Sequence, residues 1–138
     1  MKSINVDFGE GKYKINASCI FCGEDINIAI IGGEKPHIGA CALAQYSPQN
    51  IDTSCDINAS VSTICALGHR DDILARDVAI KLSKKFKVNV VVSVGIHIDN
   101  ASKSDIEKLI SNTNKAIEDL ENKIANEVNY GYKLYCGV

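Results

Sequence analysis

One apolar stretch dominates the hydrophobic pattern of the chain: Val88 to Asp99, which reads V-N-V-V-V-S-V-G-I-H-I-D. A run this rich in Val and Ile predicts a central strand that is buried on both faces. Side chains two positions apart on a strand share a face, so we expect His97 and Asp99 to point the same way. Ligand sites in α/β sheets usually lie at the carboxyl ends of central strands, so this end is the first place to look for function.

Five shorter patterns precede this run and each predicts a strand. Alternating or apolar segments cover Ile4–Phe8, Tyr13–Cys22, Ile26–Ile31, Ile38–Tyr46 and Cys55–Ala66. The fourth of them is apolar on both faces but made of small side chains. Small residues in a strand allow a helix, another backbone or a flat ligand to approach closely.

Two segments have the period of helices. The first opens at Gly68–Asp72, carries an apolar stripe, and has acidic residues at its positive N-terminal end. The second has Ser102 and Asp105 at capping-box spacing and extends to about Glu127. The tail Asn129–Val138 has no clear period, and we expect an edge strand or a partly ordered segment there.

The element order is therefore β-β-β-β-β-α-β-α. This order predicts an α+β fold, a mostly antiparallel mixed sheet of about six strands with two helices packed on one face. No internal repeat or linker divides residues 1–138, so we expect a single domain.

Composition narrows the functional classes. The chain has 138 residues, 46% of them hydrophobic, and a formal net charge of -2, so it carries no basic footprint for nucleic acid. The N-terminus lacks the apolar segment of a secretory signal, and no run approaches the ~18 apolar residues of a membrane span, so we expect a cytoplasmic protein.

The six cysteines are interpreted as reduced thiols, because a cytoplasmic protein is not expected to form disulfides. Cys19 and Cys22 form one half of a zinc-ribbon spacing without a second half, which makes structural zinc a minority interpretation.

Each of the three histidines, His37, His69 and His97, lies at a predicted strand end. If strands four and five pair antiparallel, and the sixth strand returns parallel to the fifth, all three histidines line one edge of the sheet. The Gly32-Gly33 turn and the N-terminus of the first helix, with Gly68 and Arg70, belong to the same edge. Backbone N–H groups, the helix dipole and a guanidinium together predict an anion site, and hence a pocket for a phosphate-bearing ligand such as a flavin nucleotide.

Other interpretations stay open for the same residues. A histidine at a strand end is often only a surface or hydrogen-bonded structural residue, and Asp99-Asn100 also fits a simple turn. His37, His69, His97 and Asp99 form a reasonable zinc or iron set, although no H-E-x-x-H or H-x-H spacing supports it. Nucleophilic catalysis is weaker, because no G-x-S-x-G motif occurs.

Three short motifs, taken in order, carry a family resemblance: Pro36-His37-Ile38-Gly39-Ala40, Gly68-His69-Arg70-Asp71-Asp72 and Gly95-Ile96-His97-Ile98-Asp99. From about Gly32 to Ile124 the chain resembles the LpdD-like proteins, which are prenylated-flavin chaperones and D subunits of gallate-type hydroxyarylic-acid decarboxylases. The matching polar and glycine positions are His37, Gly39, His69, Arg70, Asp72, His97 and Asp99. Cys41 and Leu67 depart from the family pattern, which has an aliphatic residue and a proline there.

The resemblance implies a non-catalytic accessory protein that binds prenylated flavin mononucleotide, or plain FMN, and delivers it to, or assembles with, a prenylated-flavin-dependent hydroxyarylic-acid decarboxylase. The predicted cofactor-binding residues are Gly33, His37, Gly39, Gly68, His69, Arg70, His97 and Asp99, with Asp99 orienting His97. The alternatives are a small metal-dependent enzyme that uses the histidines and Asp99, and a purely structural decarboxylase subunit. Exposed sheet edges also make a homodimer an expectation.

Overall fold

The computed structural model describes residues 1–47, 59–68 and 70–135, with side chains up to residue 129. Across these ranges the chain forms six strands and two α-helices, and the predicted α+β class and element order are confirmed. The elements are β1 Ser3–Phe8, β2 Ile15–Cys22, β3 Asp25–Gly33, β4 Ala40–Tyr46, β5 Ala59–Cys65, α1 Asp72–Phe86, β6 Val90–His97 and α2 Lys103–Tyr135, with a 3₁₀ turn at Gly11–Tyr13.

The strands form one mixed sheet in the order β1-β2-β3-β6-β4-β5. β6 lies between β3, to which it is parallel, and β4, to which it is antiparallel. Because β5 is also antiparallel to β4, β5 and β6 run in the same direction. The ends of β5 and β6 and the start of β4 therefore meet at one edge of the sheet, the arrangement on which the predicted histidine cluster depends.

Alternation along each strand places one set of side chains under the helices. Ile15, Ile28, Ile30, Val92 and Val94 are fully buried on this covered face. α1 packs on β4, β5 and β6, and α2 packs on β1 and β2. The hydrophobic core therefore lies between the covered face of the sheet and the two helices.

The small residues of β4 serve the helix. Ala40, Ala42 and Ala44 are buried where α1 packs on the strand. Without larger side chains between them, the helix backbone can approach the sheet closely. The sequence allowed a helix, another backbone or a flat ligand beside this strand, and in the structure a helix lies there.

Two expectations differ from the structure. Val90, Val92 and Val94 are fully buried, but Val91 and Ser93 are only partly buried, because both helices pack on the same face. The tail is helical as far as Tyr135, so the prediction of an edge strand was wrong.

The last predicted apolar position of α2 was Ile124, yet the stripe continues one turn further to Val128, which packs against the core. This extra turn keeps one face of the helix apolar beyond the predicted end at Glu127.

The predicted capping box begins α2. Asp105 N donates to Ser102 Oγ at 3.1 Å, and Ser102 N donates to Asp105 Oδ2 at 2.9 Å. Asp105 also accepts a hydrogen bond from Tyr13 at 2.6 Å and pairs with Lys12 at 3.0 Å. The Tyr13 hydroxyl, the Ser102 backbone and Lys12 hold the pKa of Asp105 well below its usual range. This carboxylate therefore ties the 3₁₀ turn to the start of α2.

A second carboxylate joins the two helices over the sheet. Glu121 of α2 accepts from Lys85 of α1 at 2.6 Å and lies 2.5 Å from the Lys81 ammonium. Burial by itself raises the pKa of Glu121, but the two lysines outweigh that effect and lower it.

Candidate functional site

The carboxyl ends of β3 and β6 lie side by side, because Gly33 pairs with His97 in the parallel register. The chain then leads through residues 34–39 to β4, and Gly39 N donates to Val94 O at 2.8 Å. This path brings the His37 ring next to His97, with ring centroids 6.0 Å apart and the planes at 84°. Two of the three predicted histidines are therefore neighbours. His69 lies outside the described residues.

The main chain of residues 34–37 fixes the His37 ring. Glu34 N and Lys35 N both donate to His97 O, at 2.8 and 3.2 Å. His37 Nδ1 lies 2.9 Å from Lys35 O. Since a carbonyl oxygen only accepts, Nδ1 carries the proton in this contact, and Nε2 faces Asp71 Oδ2 at 3.6 Å. Both side chains of the His37–Asp71 pair are largely buried.

His97 makes the contact that its spacing predicts. His97 Nε2 lies 2.9 Å from Asp99 Oδ1, and the other carboxylate oxygen of Asp99 pairs with Lys35. Lys35 first, and then His97, lower the pKa of Asp99, so the carboxyl is ionised at neutral pH. An ionised carboxylate accepts from Nε2–H, which leaves the lone pair on Nδ1 when the ring is neutral. The ring itself is partly exposed to solvent.

We call this edge the histidine rim and define it by Lys35, His37, Asp71, His97 and Asp99. Sequence reasoning found three of these residues as site candidates and placed Asp71 only at a helix start. Lys35 was missed, because it lies in a breaker segment and reaches Asp99 only through the tertiary fold.

Glycines of the rim allow its segments to approach one another. A Cβ at Gly95 would lie 1.7 Å from His37 O, and one at Gly39 would lie 1.9 Å from Asp71 Oδ2. Gly33 has φ +82°, and a Cβ there would lie 2.2 Å from His97 O. The glycines of the motifs are thus needed to seat His37 against β6 and Asp71 against His37.

The N-terminus of α1 completes the rim. The first N–H groups of any α-helix have no acceptor within the helix. Asp71 is the N-cap residue of α1, but its side chain makes no capping hydrogen bond to these groups among the described residues. Arg70 precedes the helix and is exposed, and Gly68 turns the chain towards it with φ +79°. These donors suit a phosphate, while Asp72 in the first turn opposes one.

Two cavities lie away from the rim. One of about 570 Å³ opens at the starts of β3 and β6, and aromatic and aliphatic side chains that include Phe21, Phe86 and Ile124 line it. The other, of about 620 Å³, runs between α1 and α2. Neither is lined by a predicted site residue.

Metal binding was the competing interpretation of this edge. In the part of the chain that the structure describes, no three His, Cys, Asp or Glu side chains are placed to hold a metal ion together. The proposed set included His69, which lies outside that part. Among the described helices, none has the length and apolar character needed to cross a bilayer.

The Cys19-x-x-Cys22 spacing does not form half of a zinc site. Residues three apart on a strand point to opposite faces, and Cys19 is buried in the core whereas Cys22 is exposed. Burial, with a smaller effect of Cys22, raises the pKa of Cys19 to about 11. The thiol of Cys19 is therefore protonated and packs as an apolar group.

Comparison with solved structures finds the same fold elsewhere. A chain from the crystal structure of a chaperone complex for yeast 20S proteasome assembly is similar to this chain at 15% identity, with a TM-score of 0.55. The match covers 91% of this chain and 96% of that one. At this identity the likeness shows the fold alone. No curated protein matches the chain significantly.

The family comparison covers most of the chain. The model of the prenylated flavin chaperone LpdD-like domain matches residues 9–125, which include β2 to β6, α1 and most of α2. All three motifs of the sequence analysis, which begin at Pro36, Gly68 and Gly95, lie within the matched residues. The chain therefore belongs to the prenylated flavin chaperone LpdD-like family.

Proposed function

We propose that the chain is a non-catalytic accessory protein that binds prenylated flavin mononucleotide at the histidine rim. The observation that carries this proposal is the joint placement of His37, His97, Asp99 and the N-terminus of α1 at one edge of the sheet. Membership of a prenylated flavin chaperone family supports prenylated flavin as the ligand. A ligand with a flat ring system and a phosphate matches the two kinds of group that meet there.

The phosphate is assigned to the N-terminus of α1. The uncapped N–H groups of its first turn and the Arg70 guanidinium donate to phosphate oxygens, and Gly68 allows the preceding turn to pass close by. Asp72 lowers the affinity of this site for a dianion. A moderate affinity is compatible with a protein that gives its ligand away.

The ring system is assigned to the histidines, with His69 included as the sequence predicts. His37 is held by Lys35 O and Asp71, and His97 by Asp99. With Nε2–H bonded to Asp99, Nδ1 of a neutral His97 can accept a hydrogen bond from a ring N–H of the ligand. Gly33 and Gly39 let the main chain pack closely against His97 and Asp71, which holds both imidazoles at this edge.

The exposure of His97 favours transfer. Its side chain is 43% exposed, so a ligand in contact with it stays accessible to a partner protein. We therefore assign to the chain the delivery of prenylated flavin to a prenylated-flavin-dependent hydroxyarylic-acid decarboxylase, in the cytoplasm.

The test is a titration of the purified, tag-free protein with prenylated flavin mononucleotide and with FMN, followed by absorbance after desalting. We expect retention of the prenylated form, and a loss of affinity of about 10-fold or more in Arg70→Ala, because a charge-assisted contact to phosphate is removed. Arg76→Ala is the matched control, since Arg76 is exposed further along α1 and changes the charge equally.

A second pair of variants tests the ring contact. Asp99→Asn should weaken flavin binding, whereas Asp119→Asn, which removes an equally exposed carboxylate from α2, should not. Equal binding by all four variants would remove the rim from the proposal. Retention of neither flavin, with a stoichiometric transition metal in the purified protein, would support the metal-dependent enzyme instead.

A further inference from the structure

The side of the sheet that faces away from both helices is uncharged across its middle. Its outward positions on the five strands β2 to β6 alternate with the buried ones. Across the middle of the sheet they are occupied by Asn16, Ser18, Ile20, Asn27, Ala29, Ile31, Cys41, Leu43, Gln45, Ser60, Ser62, Ile64, Val91 and Ser93. The same alternation places Asp25, Gly33, Gly95 and His97 at the ends of the strands, so the histidine rim borders this face. We call this surface the open face.

The open face is also apolar at several exposed positions. Ile20 is 36%, Leu43 is 40% and Ile64 is 77% exposed. Leu43 and Val91 lie on adjacent strands in register, and so do Cys41 and Ile64. Natural sheets with one solvated face usually place polar and charged side chains on it. Exposed apolar pairs on neighbouring strands are a feature of interaction sites.

Charges of these strands lie at the perimeter. Asp7 on the edge strand β1 pairs with Lys14 at 2.7 Å. Asp25, at the first position of β3, accepts from Asn89 N at 2.9 Å and from Asn89 Nδ2 at 3.2 Å. A centre without charge inside a polar rim is the composition of protein interfaces.

We propose that the open face binds the open face of a second copy of this chain, to form a two-sheet sandwich with the helices outside. An uncharged surface meets itself without like-charge repulsion, and a two-fold axis makes the same patch serve both copies. A strongly charged partner, in contrast, would find no opposite charge there. Stacked sheets pack ~10 Å apart through side chains of this moderate size.

The area of the face corresponds to a weak dimer. Five strands about 4.8 Å apart, with roughly six residues each at about 3.3 Å, make a face of roughly 480 Å². Two copies then bury roughly 950 Å², an area typical of weak, transient interfaces. The dimer is therefore concentration-dependent. It differs from the edge-to-edge pairing that the sequence suggested, in which this face stays open.

The test is sedimentation equilibrium over a concentration series of Leu43→Glu, with Ile110→Glu as the matched control. Ile110 is 56% exposed on α2, so the control adds the same charge to an exposed apolar position outside the open face. We expect wild type and Ile110→Glu to dimerise and Leu43→Glu to bind at least about 100-fold more weakly, because each copy would bury an unpaired carboxylate in an uncharged interface. A monomeric wild type, or equal dimerisation of both variants, would overturn the proposal.

A second measurement avoids mutation. Cys41 lies in the middle of the open face and is partly exposed, so its alkylation by iodoacetamide in wild type should accelerate on dilution as the dimer dissociates. A rate that is independent of concentration across the dimer transition contradicts face-to-face pairing. Circular dichroism of Leu43→Glu separates loss of the dimer from loss of the fold. Flavin titration of the same variant separates this proposal from the assignment of the rim.

Discussion

The two faces of this sheet share the same hydrogen-bonded backbone but differ in what their side chains do. On the covered face, Ile28 and Val92 are fully buried under helices. On the open face, the same strands present Asn27, Ala29 and Val91, which are uncharged but only partly covered or exposed. One face supplies stability to the single chain, whereas the other carries the proposed dimer contact.

The largest expected effect comes from equal truncations on the two faces. Ile28→Ala should lower the free energy of unfolding by about 3 kcal/mol, because it removes buried methylenes and leaves a cavity. Ile64→Ala, at a position that is 77% exposed, should lower it by less than about 0.5 kcal/mol in dilute protein. Urea unfolding of both variants measures the two values. Equal losses would mean that the open face is part of the folding core.

A smaller effect is expected at the helices that cover the sheet. Glu121→Gln removes the carboxylate that joins Lys81 and Lys85, and should cost about 1 kcal/mol at pH 7, because both lysines are partly exposed and can be solvated instead. The pKa of Glu121 is lowered in the folded state. Its contribution is therefore complete above the ordinary value of 4.5 and is lost as the pH falls through the lower folded pKa.

Thermal unfolding at several pH values checks this prediction. The difference between wild type and Glu121→Gln should narrow as the pH falls below about 4.5, because protonated glutamic acid and glutamine are then nearly equivalent. A difference that is constant with pH would show that the carboxylate charge does not matter.

The smallest effect concerns reactivity rather than stability. Cys19 belongs to the covered face and has its pKa raised to about 11, whereas Cys22 is exposed at the end of the same strand. At pH 8 iodoacetamide should modify Cys22 in the native protein and Cys19 only after unfolding, since the thiolate is the reactive form. Mass spectrometry of the two peptides measures the rates. Equal native rates would show that this part of the covered face opens readily.

Local patterns carried most of the secondary structure. The alternation from Ile15 to Phe21, the Ser102–Asp105 capping box and the stripe of α1 depend on neighbours within a few residues, which the sequence displays directly. The predicted edge strand failed because the tail pattern was treated as separate from α2, although Val128 lies four residues after Ile124 on the same stripe.

The rim was predicted only in part. His97 and Asp99 were paired correctly because residues two apart on a strand share a face. Lys35 could not be found, since it lies between β3 and β4 whereas Asp99 follows β6, and the two meet only because β3 and β6 are neighbours in the sheet. The assignment of His69 and of the flavin contacts stays a prediction.

The sequence by itself determined the element order, the covered face of β2, the placement of both helices on one face and the family, because these depend on periodicity and on short motifs. Only the tertiary structure decided that β6 lies between β3 and β4, that β6 is buried on one face alone, and that His37 stands beside His97. The physical reason is that strand neighbours and close approaches, such as Gly95 beneath His37, are set by packing between distant segments.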